Sequence, residues 1–255
     1  MVPSTFLFLS LTAAIGAEPS AEQLAKARAD LASREVEVRR TTIKALIHSE
    51  LSAQLLAEMQ ACLKDADDEV RATAATAIGN LGAPAERAIG ALVAQMQKDT
   101  FKEARETAAR ALGRIGKAVP TDRSAVKPLT KCAASDADPV TRTVALGALA
   151  MMAEDVPGQI AALRKFLHHD DASVRMKASH ALGMIGLPAK VASTEIAEVL
   201  EKETDGHRRG YVARALGNVG DPKALLVLEK ALKAESDEGA KGEMRGAIQK
   251  LGGKP

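Results

Sequence analysis

Across residues 67–82 the apolar positions Val70, Ala74, Ala77, Ile78 and Leu81 recur three and four residues apart, with Thr73, Thr76 and Asn80 between them. That spacing predicts a helix with one apolar face. Gly82 predicts its C-cap, and Pro84 the opening of the next element. A second apolar stripe, Leu55, Leu56, Met59 and Leu63, precedes this helix, and a similar one, Ile89, Leu92, Val93 and Met96, follows it. Equivalent runs are Val126 with Leu129, Ile160 to Leu167, Ile196 to Leu200 and Leu225 to Leu232. The chain therefore reads as short antiparallel pairs, each with a first and a second helix.

The second helices are copies of one another. DDEVRATAATAIGNLG (67–82) returns as FKEARETAARALGRIG (101–116), DASVRMKASHALGMIG (171–186) and DGHRRGYVARALGNVG (205–220). Weaker copies begin at Glu35, Asp138 and Asp237. In this register a basic residue stands at Arg39, Arg71, Arg105, Arg142, Arg175, Arg209 and Lys241, with separations of 32, 34, 37, 33, 34 and 32 residues. Self-similarity on that period predicts a stacked array, because a lone helix pair cannot bury its apolar faces. Two units depart from the pattern. The fourth ends in Leu149-Ala150-Met151-Met152 instead of glycine, and the seventh carries Gly239, Gly242 and Gly246. Those glycines, each costing up to about 1 kcal/mol relative to Ala, predict a frayed C-terminal end.

Composition narrows the core chemistry. Only 2% of the 255 residues are aromatic, with no Trp, one Tyr and four Phe, against 46% apolar overall. Such a core is built from Ala, Leu, Ile, Val and Met, which favours close-packed helices over a β-sandwich. The 35 basic and 33 acidic side chains leave a net charge of +2, so no strong whole-molecule field follows.

The N-terminus stands apart. An apolar run from Phe6 to Ile15 leads into Gly16-Ala17 and the polar Glu18-Pro19-Ser20, the shape of a signal peptide cut after Ala17. The run is shorter than the roughly 20 residues of a permanent span. No Lys or Arg precedes Lys26, so the amino terminus alone supplies positive charge to this segment. The expectation is residues 1–17 as a signal peptide, residues 18–255 as one solenoid domain, and an exported (periplasmic or extracellular) protein with no stable membrane span, the alternative being a cytoplasmic one.

The pattern D-x-x-V-R-x-x-A-A-x-A-L-G-x-I-G resembles the HEAT repeat, in detail the bacterial phycobilisome-lyase HEAT-like variety, over about residues 20–252. The resemblance implies an all-α, right-handed α-α superhelix (HEAT/armadillo-like solenoid) of about seven helix pairs. It leaves function open, since the matching residues are those of the repeat core. Bilin lyase and isomerase members attach tetrapyrroles to phycobiliproteins, but no catalytic residue carries over to this chain. Deoxyhypusine hydroxylase holds iron through His-Glu dipeptides on the same fold, and no His-Glu pair occurs here. HEAT-like DNA glycosylases want a basic groove and aromatic residues, which argues against nucleic acid.

Other motifs have structural readings. Asp67 with Arg71, and Asp171 with Arg175, lie at i and i+4 around helix starts, where a carboxylate suits the dipole and pairs with an arginine of its own or the next repeat. His168-His169-Asp170-Asp171 lacks the geometry of a metal site. Cys62 and Cys132, two repeats apart, are expected as buried free thiols.

In such solenoids the second helices line the concave side. The column through Thr76 reads Lys44, Thr76, Arg110, Gly147, His180, Arg214 and Gly246, and the column through Asn80 reads His48, Asn80, Arg114, Met151, Met184, Asn218 and Lys250. Neither contains an acid. Arg110, Arg114, Met151, His180, Met184, Tyr211 and Arg214 are the candidate partner-binding residues, because adaptable Met with Arg and Tyr is an interface composition. The chain is thus expected to be a noncatalytic, monomeric scaffold that holds a protein or acidic peptide on its concave face, with no cofactor. The alternative is a lyase-type or other enzyme-associated HEAT-like protein.

Overall fold

The structure, a computed structural model, describes residues 19–254, so the expected signal peptide lies outside the described residues. Fourteen α-helices form seven pairs among them: α1 (Ala21–Leu31) with α2 (Val36–Ala45), α3 (Leu56–Cys62) with α4 (Asp68–Asn80), and α5 (Ile89–Lys98) with α6 (Lys102–Ala118). The array continues with α7 (Val126–Ser135) and α8 (Pro139–Met151), α9 (Val156–Phe166) and α10 (Ala172–Ile185), α11 (Ser193–Lys202) and α12 (Gly206–Val219), and α13 (Leu225–Ala234) and α14 (Glu238–Lys250). The predicted all-α solenoid of seven helix pairs is what forms. No helix among the described residues is long and apolar enough to cross a membrane.

Five of the seven second helices, all but α2 and α6, start where an aspartate accepts a backbone amide of the first turn. Asp67 takes Val70 N at 3.0 Å, Asp138 takes Thr141 N at 2.8 Å and Asp205 takes Arg208 N at 2.9 Å. Each cap satisfies one of the unpaired donors of a helix start, a contribution of about 1 kcal/mol. The residue two places earlier then accepts the amide of the capping residue itself. Asp65, Asp99, Asp136, Glu203 and Glu235 do so through a carboxylate oxygen at 2.9–3.0 Å, and His169 does so through Nδ1 at 3.0 Å.

Asp65, Asp99, Asp136 and Glu235 also receive repeated arginines, so the pairing left open between one unit and its neighbour runs between units, whereas Glu203 meets Arg208 of its own unit. Arg71 does not meet Asp67. Its Nε and Nη2 grip Asp99 of the following unit, both at 2.8 Å, and Asp67 is gripped by Arg40 of the preceding unit. Arg39 holds Asp65, Arg105 holds Asp136 and Arg209 holds Glu235 in the same forked manner. Helical side chains lean toward the N-terminus, so each guanidinium projects past its own cap toward the end of a neighbouring first helix. The forked, partly buried geometry makes this ladder stronger than surface pairs. At the Arg142 rung the corresponding residue is His169, which offers no carboxylate, and Arg142 lies over the Phe166 ring at 5.9 Å instead.

From α4 onward the second helices stack closely because glycine meets alanine across each joint. A Cβ on Gly79 would stand 2.7 Å from Cα of Ala111, and Gly113, Gly183 and Gly217 stand in the same relation to Ala148, Ala215 and Ala247. Helix α8 has Ala150 where this glycine belongs, and Gly147, three residues earlier, takes the contact with Ala181. The hydrophobic core divides at the same helix: one cluster runs from Ala27 to Met152 and the other from Leu146 to Ile248. The turn after α8 contains both non-glycine residues of positive φ among the described residues, Ala153 at 57° and Asp155 at 37°.

The C-terminal end departs from the frayed segment expected. Helix α14 runs unbroken from its Asp237 cap, and Ala240, Met244, Ala247 and Ile248 are buried. Packing against α12 outweighs the glycine penalties. The two other faces are also more covered than periodicity suggested: Ala75 and Gly79 are buried and Thr73 is half-buried, because each second helix has a neighbour on both sides.

Candidate functional site

Four second helices build the candidate site. Counted from the N-caps Phe101, Asp138, Asp171 and Asp205, position nine is Arg110, Gly147, His180 or Arg214, and position thirteen is Arg114, Met151, Met184 or Asn218. These positions share a helix stripe, so stacking brings them into adjacent columns. All seven residues singled out from the sequence line one concavity of about 360 Å³. Its hollow owes much to Gly147, which puts no side chain between Arg110 and His180. Met176, Lys177 and His207 also line it, from one turn earlier on α10 and α12. The two-column reading missed these three, although Lys177 and Tyr211 both fall six residues past their caps and extend the same stripe.

The polar wall is basic but partly compensated. Glu106 receives both Arg110 and Lys177, the latter at 2.8 Å, and Glu243 receives Arg214 at 3.1 Å. The absence of acids holds for the two columns, yet these carboxylates sit beside them. Glu106 was legible as an i, i+4 partner of Arg110, whereas Glu243 comes from the next repeat. Arg214 lies over the Tyr211 ring at 4.5 Å, and His180 meets that ring edge-on at 6.2 Å. His207 flanks the same ring at 4.8 Å.

Arg114 differs from the other arginines of the site. It donates to the Asn80 side-chain oxygen and forms no ion pair among the described residues. Burial, and then the charge of Arg110, push its pKa down from the usual arginine value. His180 is held down to about 4 by burial first and then by Arg214, Arg110, Lys177 and Arg114. It is therefore neutral at pH 7, facing the concavity beside cations. The apolar part of the lining is Val144 and Met151 of α8 and Met176 and Met184 of α10, and Met184 is 41% exposed.

The remaining candidates lie elsewhere. His169 is occupied as an amide acceptor and Asp171 caps α10 by accepting Ser173 N at 2.7 Å. Cys62 and Cys132 are both buried and free, and burial pushes their thiols up to about 11 and about 12. High pKa values keep them as unreactive thiols.

Comparison with known proteins agrees with this architecture. A family model described as HEAT repeats matches residues 21–113, 56–150 and 126–210, and one described as PBS lyase HEAT-like repeat matches residues 208–234. The solved complex of CpcE and CpcF of phycocyanin lyase from Nostoc sp. PCC7120 is similar with a TM-score of 0.61 and 21% identity, over 94% of this chain and 97% of that chain. Human deoxyhypusine hydroxylase in complex with glycerol gives 0.44 at 19% identity, over 92% and 86% of the two chains. A designed armadillo repeat protein in complex with a (KR)4 peptide gives 0.45 at 19% identity, over 90% and 99%. No curated protein matches the chain. Since the HEAT-repeat model spans most of the seven helix pairs described above, the chain belongs to the HEAT-repeat family.

Proposed function

We propose that this chain is a lyase-related, enzyme-associated HEAT-like protein that works without catalysis of its own, by holding a protein partner against the concave face of α6, α8, α10 and α12. The observation that carries this reading is the gathering of Arg110, Arg114, Met151, His180, Met184, Tyr211 and Arg214 around one concavity. Arginine, tyrosine and exposed methionine together are the composition of an interface centre, and a shallow basic bowl between rigid helices suits a protein surface. The repeat match at residues 208–234 and the likeness to a phycocyanin lyase complex support the enzyme-associated part. Export, with residues 1–17 removed, belongs to the same proposal. It is tested by sequencing the N-terminus of the mature protein, which is expected to begin at Glu18.

The test is capture of partners by the purified chain and by the triple variant Arg110→Glu, Arg114→Glu, Arg214→Glu. The wild type is expected to retain a specific protein at low salt, and the variant to lose it while its circular dichroism stays helical. Undiminished capture by a folded triple variant rejects the concave face. A second reading, in which the chain itself takes part in tetrapyrrole attachment, is favoured by the same lyase likeness. It predicts visible absorbance on the purified chain after incubation with a bilin, and a colourless protein counts against it.

A further inference from the structure

Around the concavity the donors outnumber what the chain itself supplies to them. Arg110 and Lys177 converge on Glu106, and Arg214 on Glu243, so each of these cations already faces a carboxylate. The guanidinium of Arg114 has only the amide oxygen of Asn80. Neither the His180 ring nor the Tyr211 hydroxyl has a hydrogen-bond partner among the described residues, and both line the hollow beside Arg114. A half-buried guanidinium without a counter-ion is costly, and a carboxylate matches its fork with two parallel bonds. The same lining contains Met151, Met176 and Met184, which can repack around apolar groups of varied shape.

We infer that the concavity seats the side-chain carboxylate of an acidic residue of the protein partner on Arg114, beside His180 and Tyr211, with that residue's apolar neighbours lying on the methionines. This rests on the partner-holding reading above and names what it holds. A singly charged carboxylate matches the one guanidinium that faces no acid, since Arg110, Lys177 and Arg214 are already engaged by Glu106 and Glu243.

Proton linkage gives the seat a signature that a plain basic surface lacks. The charged groups facing His180 are Glu106, Arg110 and Arg114 from α6, Lys177 from its own helix, and His207 and Arg214 from α12, with Glu243 of α14 behind Arg214; α8 contributes none. An entering carboxylate offsets the cations that help hold His180 neutral, so its basicity rises in the complex. Binding then takes up a proton, and affinity increases as the pH falls from 7 toward 5.

The experiment is isothermal titration of the full chain with acetyl-Met-Leu-Glu-Leu amide, its Glu→Gln analogue and its phosphoserine analogue. We expect the Gln peptide to bind at least about tenfold more weakly than the Glu peptide, as one charge-assisted forked bond is worth. Arg114→Gln should erase that difference. The Glu peptide should bind about threefold or more tightly at pH 5 than at pH 7, and His180→Asn should flatten that dependence. The inference is overturned by equal binding of Glu and Gln peptides by the wild type, by no binding at 10 mM (about 2.7 kcal/mol), by tighter binding of the phosphoserine peptide, or by a flat wild-type pH profile. The peptide comparison needs no variant, so misfolding of a mutant leaves it decisive. If partner capture survives while the Glu and Gln peptides behave alike, the seat is wrong and the partner reading stands; if a folded triple variant still captures the partner, the reading beneath it falls.

Discussion

Gly113 and Ala148 approach so closely that a Cβ on the glycine would lie 2.7 Å from both Cα and Cβ of the alanine. No side chain fits in that space, so Gly113→Ala must push α6 and α8 apart. The cost expected for such overpacking is about 1–3 kcal/mol. Gly246, in the interior of α14, has nothing within 4 Å of the place its own Cβ would take. There Gly246→Ala should stabilise by about 0.5–1 kcal/mol, through helix propensity alone. Urea denaturation of the two variants checks the opposite signs, and equal effects would refute the close-contact role of Gly113.

The ladder makes its own prediction. Asp136→Asn keeps an acceptor for the Asp138 amide but removes the charge that Arg105 grips, with both side chains under 15% exposed. A loss of about 2–3 kcal/mol is expected. At the vacant rung the sign reverses. His169→Asp should keep the amide contact and give Arg142 a carboxylate, raising the melting temperature where Asp136→Asn lowers it. A neutral or lower melting temperature for His169→Asp would show that Arg142 does not reach this position.

Acid should weaken the fold in two steps. His180 has a folded value of about 4 against an ordinary 6.5, so the unfolded chain takes up this proton first and stability falls between pH 6.5 and 4. Glu235, held at about 2 chiefly by the Arg209 hydrogen bond, and Asp67, held at about 2 chiefly by Arg40, have folded values depressed from 4.5 and 3.8. Their contribution is complete above those ordinary values and disappears as pH falls toward 2. Melting temperature measured against pH should show both phases, and His180→Asn should remove the first alone.

Cys62 and Cys132 should resist alkylation in the folded chain, since each is buried and its thiol is held protonated at neutral pH. Mass spectrometry is expected to find two modifications after denaturant and none before. A Cys62–Cys132 bridge in the native protein would contradict the repeat register.

The pairs were legible because the apolar spacing and the 32–37-residue beat of Arg39 to Lys241 both come from the stacking itself. The columns were legible for the same reason: a fixed register carries Arg110, Gly147, His180 and Arg214 to one face. What the sequence concealed is what crosses between repeats. The spacing left Arg71 able to pair within its own unit or with a neighbouring one, and the lean of helical side chains sends it to Asp99. Glu243 was hidden because it reaches Arg214 from the following unit. The motif glycines likewise looked like repeat signature alone, and their purpose appears only when Ala111 or Ala148 is seen against them.

Several irregularities of the array meet around helix α8: Ala150 in place of the packing glycine, a division of the core, a rung with His169 where a carboxylate would stand and a strained turn at Ala153 and Asp155. The bowl of Arg114 and His180 straddles this division, with α6 on one side and α10 and α12 on the other. Any change in how the two halves of the core meet at α8 would therefore register first in the width of the bowl.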